Sequence, residues 1–128
     1  MGEKIVLITE DETEIRELLV ILFRTEGFRV LSASDGQEAL DLVQKHGADI
    51  ALLITDLGLP KLGGIELIRK SRKLVPELKV IGASGFGHAN VRSELLNVGV
   101  VDFFPKPFSP IDLLVTAKRL IEEKNSGE

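Results

Sequence analysis

Residues 50–60 read IALLITDLGLP. Six apolar or β-branched residues run without a polar break, and Asp56, Gly58 and Pro60 follow in quick succession. The run is too short for a helix buried on all sides. It also lacks the apolar–polar alternation of a strand with one wet face, so it reads as a strand covered on both faces. Such strands belong to parallel sheets, whose right-handed crossovers set helices on either side.

The same unit recurs outward from this stretch. Upstream, residues 4–9 (KIVLIT) form a short β-branched run. Residues 12–26 follow as a helix, with Ile15, Leu18, Leu19 and Leu22 spaced as a core stripe and Gly27 as the C-terminal stop. Residues 28–33 (FRVLSA) read as a strand. Ser34-Asp35-Gly36-Gln37 has the capping-box pattern and opens a helix carrying Ala39, Leu40 and Val43, which ends at Gly47. Downstream, 57–63 is a loop, 65–74 a helix ended by Pro76, and 79–83 (KVIGA) a strand. A helix over 90–97 is closed by Gly99, and a fifth strand covers 100–104. Ser109-Pro110-Ile111-Asp112 starts a last helix running to about residue 123. Five strand–helix repeats predict an α/β fold: a doubly wound, five-stranded parallel sheet with five helices. The 128 residues make a single domain, with a core over 4–122 and flexible ends at 1–3 and 124–128.

Composition narrows the function. Hydrophobic residues at 44% and charged residues at 28% fit a folded globular chain and not a disordered one. No apolar run nears the ~18 residues of a membrane span, and no signal peptide with a cleavage site opens the chain. The absence of cysteine removes disulfides, thiolate metal sites and thiol nucleophiles. A net charge of −4, no long run of like charge, and no Trp or Tyr argue against nucleic-acid binding. A cytoplasmic location is expected. Neither His46 nor His88 has a neighbour at metal-ligand spacing.

In open parallel sheets, ligands bind beyond the carboxyl ends of the strands. Glu10, Asp11 and Glu12 follow the first strand, Asp56 the third, Ser84 the fourth and Lys106 the fifth. Clustered carboxylates repel one another unless a cation or proton intervenes. An all-oxygen donor set without His or Cys suits a hard ion such as Mg²⁺. A carboxylate beside such an ion and a fixed ammonium can act as nucleophile toward a phosphoryl group. Taken singly, each residue has a plainer reading: Asp56, Ser84 and Lys106 as loop residues, and the 10–12 acids as favourable charges at a helix start. Glu12 is assigned to that role alone.

Together these motifs resemble a response-regulator receiver domain of two-component signalling. The resemblance rests on Glu10-Asp11-Glu12, Asp56-Leu57-Gly58-Leu59-Pro60, Gly63-Gly64-Ile65-Glu66-Leu67, Ala83-Ser84-Gly85 and Lys106-Pro107-Phe108, in order over about residues 4–122. It implies a flavodoxin-like sheet of order 2-1-3-4-5. Asp56 becomes the phosphoacceptor for a phosphohistidine. Mg²⁺ (or Mn²⁺) is held by Asp11, Asp56 and the Gly58 carbonyl, with Glu10 acting through a water. Ser84 and Lys106 contact the phosphoryl oxygens, Phe103 stands at the aromatic switch position, and Lys106–Pro107 matches a cis peptide. A sensor histidine kinase or histidine phosphotransfer protein is the implied donor. The face of the fourth predicted helix, fifth strand and fifth helix addresses an unknown output partner. Val20 and Ile21, surplus to the core stripe, are expected to help dock the donor.

The chain departs from the family pattern in two places. Glu10 stands where Asp is commoner, and Phe103 replaces the frequent Tyr. The small Gly58 leaves an acyl phosphate open to water, so fast hydrolysis is expected. The domain reads as a switch that assists its own phosphorylation and dephosphorylation, not as a turnover enzyme, either alone or within a membrane-anchored hybrid kinase. Two rivals remain: a phosphorylation-independent receiver acting as an interaction module, and a flavodoxin-like cofactor carrier. The second is opposed by the lack of a Gly-rich phosphate loop after the first strand.

Overall fold

The apolar runs form β1 (Ile5–Thr9), β2 (Arg29–Ala33), β3 (Ile50–Asp56), β4 (Lys79–Ser84) and β5 (Val100–Pro105) in a computed structural model that describes residues 4–85 and 97–126. All neighbouring strands pair in parallel, in the order β2-β1-β3-β4-β5. The helices are α1 (Thr13–Thr25), α2 (Gly36–His46), α3 (Gly64–Leu74) and α4 (Pro110–Ser126), with a short 3₁₀ turn at Gly47–Asp49. The helix expected over 90–97, save Asn97, and His88 lie outside the described residues. So do 1–3 and 127–128. The last helix runs to Ser126, three residues past its expected end.

The unbroken apolar runs resolve into two cores of alternate residues. Ile5 and Leu7 of β1 and Leu53 of β3 pack with Ala39, Leu40 and Val43 of α2 and Leu67 and Ile68 of α3. Val6 and Ile8, with Leu52 and Ile54, face Leu19 and Phe23 of α1 and Leu113, Ala117 and Leu120 of α4. Every residue of β1 and β3 is buried, because each pleat direction meets a helix layer.

The helix ends follow local chemistry. Gly27 takes φ +94°, a region where an L side chain is strained. Its N–H donates to the Arg24 carbonyl at 2.9 Å and that of Phe28 to the Phe23 carbonyl at 3.2 Å. The Phe23 and Phe28 rings meet at 5.8 Å, so the C-cap carries its usual apolar contact. At α2 the capping box is shifted by one residue from the sequence reading. Asp35, not Ser34, caps the helix by accepting from the Glu38 N–H at 2.8 Å, and Glu38 in turn accepts from the Ser34 N–H at 2.8 Å. In α1, Leu18 is 51% exposed. The buried stripe is Leu19 and Phe23, flanked by the partly buried Ile15, Val20 and Leu22. Val20 therefore belongs to the core margin and Leu18 to the surface, the reverse of the expectation.

Candidate functional site

Backbone hydrogen bonds tie the strand ends together where the loops leave the sheet. The Glu10 N–H donates to the Ala33 carbonyl at 3.0 Å, Leu57 N–H to the Ala83 carbonyl at 2.9 Å, and Lys106 N–H to the Ser84 carbonyl at 2.7 Å. Asp56 is the last residue of β3, and the Thr55 hydroxyl donates to its carbonyl at 2.9 Å. Gly64 opens α3 hard against this corner. A Cβ there would stand 2.5 Å from the Asp56 carbonyl oxygen and 2.6 Å from the Leu57 Cα, so only glycine allows the close approach. The left-handed residue of the loop is Lys61, at φ 68°, and not one of its glycines.

Four side chains converge at this edge. The Lys106 Nζ lies 2.8 Å from Glu10 Oε1, 3.2 Å from Asp56 Oδ2 and 3.3 Å from Glu12 Oε1. Glu10 is buried, at 3% exposure. Its Oε2 accepts from the Glu12 N–H at 3.0 Å, and Arg16 Nη1 donates to its carbonyl at 2.8 Å. Asp56 Oδ1 accepts from the Gly58 N–H at 3.3 Å. Asp11 is exposed, yet Glu10, Asp11 and Asp56 each bring a carboxylate oxygen within 4.8 Å of the others. The Lys106–Pro107 peptide is cis.

Burial pushes the Glu10 carboxyl above its ordinary range, against the opposing pull of the Lys106 ammonium. Burial alone would depress the Lys106 ammonium. The Glu10 and Asp56 carboxylates outweigh it, so Lys106 is held above the usual lysine value and stays charged. The acids thus outnumber the one ammonium, and their oxygens are close enough to share a cation. Among the described residues the donor set fits a hard ion: three carboxylates, no nitrogen or sulfur, and an open side at exposed Asp11.

The remaining expected residues sit around this centre. Ser84 is buried at the end of β4, where its carbonyl holds the Lys106 backbone. Phe103, half-buried, packs toward the α2–α3 layer, while Phe104 packs toward the α1–α4 layer against Phe108, with ring centroids 6.1 Å apart. Among the described residues, nothing lies within 4 Å of where a Cβ would stand on Gly58. An apolar cavity of about 420 Å³ adjoins Lys106, between Ile15 and Leu18 of α1 and Pro107, Phe108 and Pro110. Two contributors escaped the sequence reading: Glu12, through its contact with Lys106, and Arg16, which fixes the Glu10 carbonyl. Arg16 lies one turn beyond Glu12 on α1, which was the available signal.

The response regulator receiver domain family matches residues 6–118 of the chain. Sporulation initiation phosphotransferase F of Bacillus subtilis is 32% identical over 126 residues, covering 98% of this chain and 99% of that protein. Sensor kinase CckA of Brucella abortus is 32% identical over 124 residues, but the chain spans only 13% of its length. A receiver domain protein from Clostridium thermocellum superposes with a TM-score of 0.89 at 27% identity, covering 98% of this chain and 99% of that one. A CheY-like receiver protein from Methanospirillum hungatei also gives 0.89, at 29% identity, covering 99% and 100%.

Proposed function

Because the chain belongs to the response regulator receiver domain family, we propose that Asp56 accepts a phosphoryl group from a phosphohistidine and that the domain acts as a switch, not as a turnover enzyme. The observation that carries this reading is the Lys106 ammonium bridging Glu10 and Asp56 at 2.8 and 3.2 Å. An Asp56 oxygen attacks phosphorus, an O–P bond forms as the P–N bond breaks, and the imidazole leaves with the electron pair. Lys106, already beside Asp56, follows the charge onto the phosphoryl oxygens, and the Ser84 hydroxyl donates to one of them. Mg²⁺ (or Mn²⁺), held by Asp11, Asp56 and the Gly58 carbonyl with Glu10 beside them, would neutralise charge on those oxygens.

Ser84 shares a strand-end hydrogen bond with the Lys106 backbone, so a shift of Ser84 reaches β5 and Phe103. The surface that changes lies on β5 and α4, where Val101, Ile111 and Val115 are 50–60% exposed. This is a population shift between two states, one of which binds phosphate better. The donor is a sensor histidine kinase or a histidine phosphotransfer protein, and an output partner reads the β5–α4 face. The donor docks over exposed Ile21 of α1. Ile21→Glu is expected to slow phosphotransfer from the cognate donor by tenfold or so, with labelling by a small-molecule donor unchanged. We place the domain in the cytoplasm, free or within a larger membrane-anchored kinase.

The test is incubation with acetyl phosphate, with and without Mg²⁺, read by intact mass for the wild type and Asp56→Ala. A Mg²⁺-dependent gain of one phosphoryl group, lost in the variant, supports the reading. No gain in the wild type overturns it in favour of a phosphorylation-independent interaction module.

A further inference from the structure

We propose that Glu12 controls how fast the site takes up a phosphoryl group, as a positioning residue acting through Lys106. The inference rests on Asp56 being the acceptor. A lysine ammonium has three N–H groups, and Lys106 faces three carboxylates, those of Glu10, Asp56 and Glu12, at 2.8, 3.2 and 3.3 Å. Every donor is engaged before any phosphoryl group arrives. For Lys106 to meet phosphoryl oxygens, one contact must give way.

Of the three, Glu12 is the one free to yield. Glu10 is buried and held at both its carboxylate and its carbonyl. Asp56 is the acceptor itself. The Glu12 side chain is 61% exposed and can swing into water, where its charge is fully solvated. Glu12 is also outside the Glu10–Asp11–Asp56 set whose oxygens lie within 4.8 Å of one another. A cation bound by that set does not neutralise Glu12, whose carboxylate, 3.3 Å from the Lys106 Nζ, keeps a negative charge beside the ammonium that an incoming anion must reach. Glu12 thus opposes phosphorylation twice: it occupies an N–H of Lys106, and it repels the donor.

Glu12→Gln keeps the side-chain length and removes the charge. Exposed ion pairs of this kind are worth about a two- to fivefold change in an equilibrium or rate. We therefore expect Asp56 labelling by dianionic acetyl phosphate to speed up by about two- to fivefold. The gain should be smaller with phosphoramidate, which carries less negative charge, and should shrink in high salt. Glu12→Asp, which restores the charge, should return toward the wild-type rate. A second readout needs neither metal nor donor: acylation of Lys106 by a small amine-reactive reagent, followed by peptide mass, should be faster in Glu12→Gln. Failure of the wild type to label at Asp56 overturns the acceptor reading on which this rests. A wild type that labels, with Glu12→Gln unchanged in both readouts or slowed equally with both donors, overturns the role of Glu12 alone.

Discussion

Glu10 shares one ammonium with Asp56 and Glu12 and has little water of its own. Holding it ionised without a cation opposes folding. Glu10→Gln is expected to raise the metal-free melting temperature and to weaken Mg²⁺ binding by about tenfold or more, measured by thermal melts in chelator and by metal titration. Thr9, one residue earlier, has a buried hydroxyl with no partner among the described residues. Thr9→Val replaces that hydroxyl by a methyl group of like size and should stabilise the fold by about 1 kcal/mol in denaturant titrations. The residues of the candidate site were legible at this scale because a strand end followed by an acid, a hydroxyl or a lysine is conspicuous when four recur in order. Glu12 was not legible, since an acid at a helix start already has a sufficient explanation in the helix dipole.

Elements were legible in kind and less so in detail. The α2 cap shows why: Ser34 and Asp35 both make good caps, and only the path of the chain decides between them. The choice has a consequence in acid. The Glu38 N–H, with help from Lys61, holds Asp35 below its ordinary value of 3.8. A carboxylate with a depressed folded-state value stabilises above the unfolded value and loses that contribution as pH falls through the folded one. Asp35→Asn keeps an N-cap without a titrating group, so its stability should fall less steeply than the wild type's below pH 3.8, followed by far-ultraviolet circular dichroism. In α1 the expected stripe held at Leu19, and at the core margin at Ile15 and Leu22, but not at Leu18. Six apolar residues in a row, Leu18 to Phe23, blur the phase, and Phe23, the buried anchor, was passed over.

At the scale of the whole molecule, the parallel sheet and its two helix layers followed from apolar runs such as 50–55, since a strand buried on both faces has few places to be except inside a parallel sheet, while the order 2-1-3-4-5 followed only from the resemblance to receiver domains. The tertiary contacts that set register, such as the shift between Val80 and Ile81 where β4 meets β5, left no trace in the sequence. The three acids span β1 and β3, so a shared cation would fasten the middle of the sheet only in the folded chain. Saturating Mg²⁺, at a hundred times its dissociation constant, should add about 2.7 kcal/mol to unfolding, and Asp56→Asn should remove most of that gain in the same chemical-denaturation series.

Under the proposed function, the space that the described residues leave beside Gly58 would set a duration. Without a side chain at position 58 to screen it, an acyl phosphate on Asp56, the acceptor under the proposed function, would meet water more readily, and the molecule would forget each signal soon after the donor fell silent. Such a switch follows a fluctuating input closely and averages little. Its output would measure the present rate of phosphorylation, whereas a shielded switch would integrate its past.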